Sequence, residues 1–401
     1  MPILENYNAF DGYYWYSSSI ANSLAYAGYN APHTNKPYSD ALLFGISGSI
    51  NFGYFYFHYD GYDPQINILT RNTFNWFDVI MDRLGIARDV LQTTSTDKGR
   101  KNLIEVLEQG NAPIVFADTF TLSYNAHDYD DGMWGMMPIV VYGYDDDTAY
   151  IADRADVGLT VTAQNLDDAR ARVKKDKQRL MTLSSPNEGK LAAAVTAGLW
   201  DCINLFTEKP PKGSANNFGF KAYQRWIELL TKPKKKGSWA KVLPTGRDVF
   251  AGLTTAFHFS QQFGKDDSYS AERALFTEFL AEAAVILDKP ALADLAPQFQ
   301  QAGDAWCALG KRLLPDDVPM LKEAREVMVK KHSTFLNQGN DALDVMHASN
   351  QRQNELLEAS DDFPLDDDEI TALQASIADQ VQVIHDIEQD AIFALRDVMS
   401  S

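Results

Sequence analysis

Residues 12–28 read GYYWYSSSIANSLAYAG, and how this stretch is parsed decides the fold of the first half of the chain. From Ser19 to Ala27 the residues are small or apolar with no Pro, which suits a helix, and Gly28 supplies the left-handed stop that helices favour. Ser17, Ser18 and Ser19 stand where hydroxyls can accept from the orphan amides of a first turn, so the pattern predicts a helix entered through them. Tyr13, Tyr14, Trp15 and Tyr16 lie immediately before, at the head of that helix.

Working outward, residues 42–63 form a glycine- and aromatic-rich run, LLFGISGSINFGYFYFHYDGYD. Within it Phe55, Phe57 and Tyr59 alternate with Tyr54, Tyr56 and His58 as in a strand, with His58 expected to pack. Helical patterns follow in NTFNWFDVIMDRLG (72–85) and DKGRKNLIEVLEQG (97–110). Three short β runs come next, APIVFADTF (112–120), MMPIVVYGYD (136–145) and AYIADRA (149–155), with Asp145, Asp146 and Asp147 turning between the last two. A helix followed by strands is an α+β order.

Of the 47 aromatic residues, 28 lie in residues 1–150, and that shift marks a boundary between two kinds of structure. Beyond residue 190 the period is helical, with helices expected near 190–206, 219–231, 246–263, 269–288, 291–314, 317–358 and 366–398. Asp366, Asp367, Asp368 and Glu369 suit the first turn of the last of these, where they offset the macrodipole. The formal charge of −19 disfavours nucleic acid and anionic lipid as partners. Two cysteines, Cys202 and Cys307, exclude a disulfide framework and a Cys-rich zinc site. The opening MPILENYNAF has neither the basic nor the apolar region of a signal peptide, so a cytoplasmic location is expected.

The segments GYYWYSSSIANSLAYAG, ALLFGISGSINFGYFYF, APIVFADTFTLSYN and IVVYGYDDDTAYIADR together resemble the N-terminal domain of the butirosin biosynthesis protein H family. Farther on, NFGFKAYQRWIELLTKPKKKGSW and AERALFTEFLAEAAVILDKPAL look like the helical domain that accompanies it, so the likeness spans about residues 10–315. The resemblance implies a papain-like cysteine-peptidase fold and transfer of an acyl group from a carrier protein to an amine. Such chemistry needs a thiolate at the head of a helix, a His beside it and an Asp or Asn to orient that His.

Carried over residue by residue, the family pattern leaves this chain without its thiol. Gly12 and Asn22 keep their places, but Tyr13 and Tyr14 occupy the His positions and Trp15 the cysteine position. The slot of the catalytic His holds Met137, followed by Pro138, and only Asp153 of the three remains. An indole has no nucleophilic atom, and a thioether is no general base.

The remaining candidates divide between chemistry and structure. Ser17 and Ser18 read as helix caps, and as substitute nucleophiles only if His127 and Asp153 serve them. His127 reads as an exposed loop residue, and Asp128, Asp130 and Asp131 beside it lack calcium-loop spacing, so no metal site is assigned. Asp153 is balanced between a functional role and a structural bond to Arg154 or backbone. Tyr13, Tyr14, Trp15 and Tyr16 either plug the cleft or line it for a flat or cationic ligand. The lysines of 232–236 read as a solvated loop that an acidic carrier protein would also suit.

The expected architecture is α+β and papain-like over 1–185, a helical accessory domain over 186–315, and long helices over 316–401 offered for oligomerisation. The expected function is that of a catalytically degenerate relative of carrier-dependent acyltransferases, a binding or assembly component in specialised metabolism without a cofactor. An acyl carrier protein, a small amine or acyl ligand, and a second copy or another chain are the expected partners. The competing reading is an active amide-forming or amide-cleaving enzyme built on Ser17, Ser18, His127 and Asp153.

Overall fold

The computed structural model describes residues 2–10, 12, 14–127, 132–261 and 269–401. In chain order it contains α1 (Trp15–Tyr26), the small hairpin β1 (Asn30–Ala31) and β2 (Lys36–Pro37), α2 (Asp40–Ile46), the hairpin β3 (Ile50–Phe57) and β4 (Gln65–Arg71), and α3 (Trp76–Leu84). There follow β5 (Arg88–Leu91), α4 (Thr96–Glu108), β6 (Ile114–Asp118), β7 (Met136–Tyr144), β8 (Thr148–Ala152), β9 (Leu159–Thr162), α5 (Ala163–Ala171) and β10 (Leu180–Leu183). The remainder is helical: α6 (Leu191–Thr207), α7 (Gly219–Thr231), α8 (Trp239–Val242), α9 (Gly246–Gln261), α10 (Arg273–Ile286), α11 (Ala296–Leu313), α12 (Pro319–Gln338), α13 (Leu343–Ala359) and α14 (Asp367–Ser400). The chain is thus mixed α and β, with its strands in the first half and helices throughout the second. No helix among the described residues is long and apolar enough to cross a membrane.

Two compact units share this chain. The first comprises Met1–Leu43, Phe77–Leu191 and Lys331–Asn350, and the second Phe44–Trp76, Ala192–Lys330 and Gln351–Ser401. In the first unit, six strands pair antiparallel in the order β5-β10-β6-β7-β8-β9. The central strands β6 and β7 bury Ile114, Val115, Ile139, Val140 and Val141 completely, so their near-continuous apolar runs form a core rather than one amphipathic face. Helix α1 packs on β7, and Ser23 Oγ ties it to the sheet by donating to the Ala112 carbonyl at 3.0 Å.

The single helix expected over 317–358 is two helices, α12 and α13, broken at Gly339–Ala342. Gly339 has φ +54°, and a Cβ there would lie 2.7 Å from Leu159 Cδ2 and 2.9 Å from Val157 Cγ2. Asn340 fixes the break: its Oδ1 accepts from Thr160 N–H and its Nδ2 donates to Thr160 O, both at 2.8 Å. A side-chain amide here does the work of a neighbouring strand against β9. Hydrophobic periodicity runs through this point unchanged, so it carries no sign of the interruption.

In the second unit, the β3–β4 hairpin lies against α7 and α9. Phe52 stacks on Tyr223 with ring centroids 3.7 Å apart, and Trp226 and Trp306 close over them. Arg273, wholly buried, donates to both Glu388 oxygens at 2.7 and 3.1 Å and to the carbonyls of Thr70, Ala271 and Asn51. Tyr223 and Trp306 also donate to Glu388, each at 2.8 Å, so the buried carboxylate is satisfied from several sides. Because Phe57 pairs with Gln65, the strand ends before His58, which is exposed in the turn rather than packed in the sheet. At α14 the acidic first turn forms a capping box: Asp366 accepts from Asp368 and Glu369 N–H, and Glu369 accepts from Asp366 N–H.

Candidate functional site

Helix α1 starts at Trp15, three residues earlier than a cap at Ser17 requires. Tyr14 is the N-cap, extended at φ −133° and ψ 128°, with no side-chain cap of its own. The serines therefore fall inside the helix, and their bonds are not those of a cap. Ser18 Oγ accepts from Tyr14 N–H at 3.0 Å, while Ser17 and Ser19 hydroxyls donate to the carbonyls of Tyr14 and Tyr16 at 3.5 and 3.2 Å. Gly12, at φ +103°, brings the chain into this turn so closely that a Cβ would overlap the Ser18 side chain. All three serines are buried.

The helix head is also an aromatic cluster. Tyr14 meets Trp15 edge-on at 5.6 Å and lies against Tyr16 at 5.8 Å, and Tyr16 abuts Phe77 at 5.5 Å. Burial pushes the Tyr16 hydroxyl pKa up, so this group stays a neutral phenol. Tyr13, the fourth aromatic residue predicted to line the cleft, lies outside the described residues.

Against the face of Trp15 sits a cation. The Arg154 guanidinium carbon is 4.2 Å from the Trp15 ring centroid and 4.9 Å from that of Phe335. Arg154 donates to Asn125 Oδ1 at 2.5 Å and to both Asp153 oxygens at 3.4 Å. Asp153, nearly inaccessible, also accepts from the Tyr124 hydroxyl at 3.0 Å. Tyr124 is wholly buried, and burial first, then the Asp153 charge, raises its pKa far above the usual phenol value. It therefore holds its proton toward the carboxylate. Phe335 stacks on Tyr124 at 6.3 Å and completes the corner from a stretch remote in sequence.

Met137 is half-buried in β7 opposite Ala117. His127 is exposed, with its ring stacked on Phe120 at 4.9 Å. Asp128, Asp130 and Asp131 lie outside the described residues. Among the described residues, then, Ser17 and Ser18 engage the backbone of Tyr14, His127 lies on Phe120, and Asp153 engages Tyr124 and Arg154. Among the described residues, no hydrogen bond runs directly between any two of these four. The thiols are elsewhere: Cys202 and Cys307 both belong to the second unit, and burial drives the Cys202 pKa well above the ordinary thiol range.

Sequence reasoning placed Trp15 and Asp153 at this corner but missed Tyr124, Asn125 and Phe335. Arg154 was available as a neighbour of Asp153, though not as the occupant of an aromatic slot. What the arrangement does chemically is hold a planar cation between two π faces, a carboxylate and an amide oxygen. A family model described as butirosin biosynthesis protein H, N-terminal, matches residues 15–154, so its limits coincide with the stacked pair Trp15 and Arg154. No curated protein matches the chain.

Proposed function

Over residues 15–154 the chain belongs to the butirosin biosynthesis protein H family, and from that premise we propose that it is a binding or assembly component of specialised biosynthesis that has lost thiol chemistry. The family points to a biosynthetic, acyltransferase-like role. The observation that carries the loss is Trp15: an indole stands at the α1 head, and a guanidinium covers its face at 4.2 Å, where an attacking sulfur and its substrate carbonyl would need room. The papain-like fold belongs to the same proposal, supported by a helix lying on an antiparallel sheet with its head against Arg154, two residues beyond β8. An acyl carrier protein and a small amine or acyl group remain the partners proposed for it, in the cytoplasm, as does an oligomeric state built on the terminal helices.

The test incubates the full chain with an acylated carrier protein and an amine acceptor, then measures intact mass and amide product. The expected result is an unchanged protein mass, no product above the protein-free control, and no effect of prior thiol alkylation. An acyl ester on Ser17 or Ser18, or catalytic amide formation, refutes the proposal in favour of a hydroxyl-based enzyme.

A further inference from the structure

The groups around Arg154 are each held in place by a bond that does not involve Arg154. Tyr124 aims Asp153 by donating to its Oδ2. Asn125 donates from Nδ2 to the Thr119 carbonyl at 3.0 Å, which leaves its Oδ1 directed at the guanidinium. Phe335, only 3% exposed, is braced on the Tyr124 ring, and Trp15 is braced edge-on by Tyr14. Both ring centroids lie within the ~6 Å at which a cation is attracted to a π face. The corner is therefore shaped before its occupant arrives, which is how a receptor lowers the ordering cost of binding.

Its selectivity follows from charge. Two ring faces, a carboxylate and an amide oxygen are all electronegative, so the slot suits a cation and repels a carboxylate or phosphate. A planar cation matches it well, because a flat group can lie over both the Trp15 and Phe335 rings while its N–H bonds reach Asp153 and Asn125.

We infer that this corner is a binding site for a guanidinium or primary ammonium group, occupied in the free protein by the chain's own Arg154. The inference rests on the binding role proposed above and names its ligand class. Arg154 acts as a tethered competitor: a flexible tether gives effective concentrations of about millimolar or higher, so an external cation meets a filled slot in the native protein.

The test uses the full chain carrying Arg154→Ala, with methylguanidinium as probe and methylurea, its neutral counterpart of like shape, as control. By calorimetric titration, methylguanidinium should bind Arg154→Ala at least about tenfold more tightly than it binds the native protein. It should also raise the Arg154→Ala unfolding temperature by ~2 °C or more over methylurea at matched ionic strength. Adding Asp153→Asn to Arg154→Ala should abolish both effects. Equal responses to the two probes, equal binding by native and Arg154→Ala proteins, or unchanged binding by the double variant overturn the inference.

Should Arg154→Ala fail to fold, the native protein still decides. The Arg154 Nε–H proton must show an upfield ring-current shift that Phe335→Leu reduces, and a resonance at the solvent-exposed position overturns the slot. Cation binding alongside observed acyl transfer leaves this inference standing and refutes the binding-only reading. The absence of both refutes only the inference.

Discussion

Replacing Phe335 by Ala removes a ring at this corner that comes from far outside the stretch matched to the family. Phe335 is 3% exposed, so the change opens a cavity in the first unit, and such a truncation costs about 3–5 kcal/mol. The lost contact with Arg154 at 4.9 Å adds up to ~2 kcal/mol, since that guanidinium is largely desolvated. Because a chain of two compact units need not unfold in one step, the measurement should be local. Two amides report it directly: Asp156 N–H donates to Leu336 O, and Thr160 N–H donates to Asn340 Oδ1, both at 2.8 Å. Their hydrogen-exchange protection should fall by about 100-fold or more, at 1.4 kcal/mol per decade, while the Phe276 amide on α10 keeps its protection. Phe335→Leu should lose far less. A loss below ~1 kcal/mol, or a fall spread evenly over both units, means that residues 331–350 do not brace this corner and refutes the reasoning.

Arg273→Met should destabilise the second unit by about 3–5 kcal/mol in urea titration, because it strands the Glu388 carboxylate in the core, and adding Glu388→Leu should recover part of that loss. Gly339→Ala should destabilise by ~1–3 kcal/mol, since φ is +54° and the new Cβ lies 2.7 Å from Leu159 Cδ2; a neutral result would show that α12 and α13 can shift apart there. The raised Cys202 pKa predicts a pH effect of definite sign. Above the ordinary thiol pKa of ~8.5 the unfolded chain loses that proton while the native chain keeps it, so stability falls as pH rises from there. Cys202→Ala should remove the part of the decline that begins below the tyrosine range, as followed by urea midpoints from pH 7 to 10; an unchanged slope would show that the thiol titrates alike in both states.

What could be read in advance follows from the range of the forces involved. Apart from α8 and the break between α12 and α13, the helices from α6 onward and the Asp145 turn are set by local preferences, and Asp145 Oδ1 indeed accepts from the Asp147 and Thr148 amides. The strands β5, β9 and β10 went unread because they are four-residue pieces, such as RDVL and LTVT, with no apolar alternation long enough to stand out. They exist because of pairings such as Leu180 with Leu91, which join distant parts of the chain. His58 departs from its expected strand for a similar reason: the register of Phe57 on Gln65 decides the strand length, and aromatic alternation runs past it. The composition of the serines predicts caps, but the helix starts at Trp15, after the Gly12 turn, and they fall inside it.

Asp153 shows why the site was only half legible. Its residue type and position could be read, and both a catalytic and a structural role fitted them. A carboxylate that orients an imidazole must keep a lone pair directed at that ring. Here its oxygens meet the Tyr124 hydroxyl and the Arg154 guanidinium, and neither partner is an imidazole. With Trp15 at the head of α1, removing the Asp153 charge would leave Arg154 largely buried between two rings with only the Asn125 oxygen to receive it. The acid is thus required by a cation held on an indole, whether or not any reaction occurs nearby. Its presence is no sign of retained catalysis, and the residue that gives it this second purpose lies next to it in the sequence.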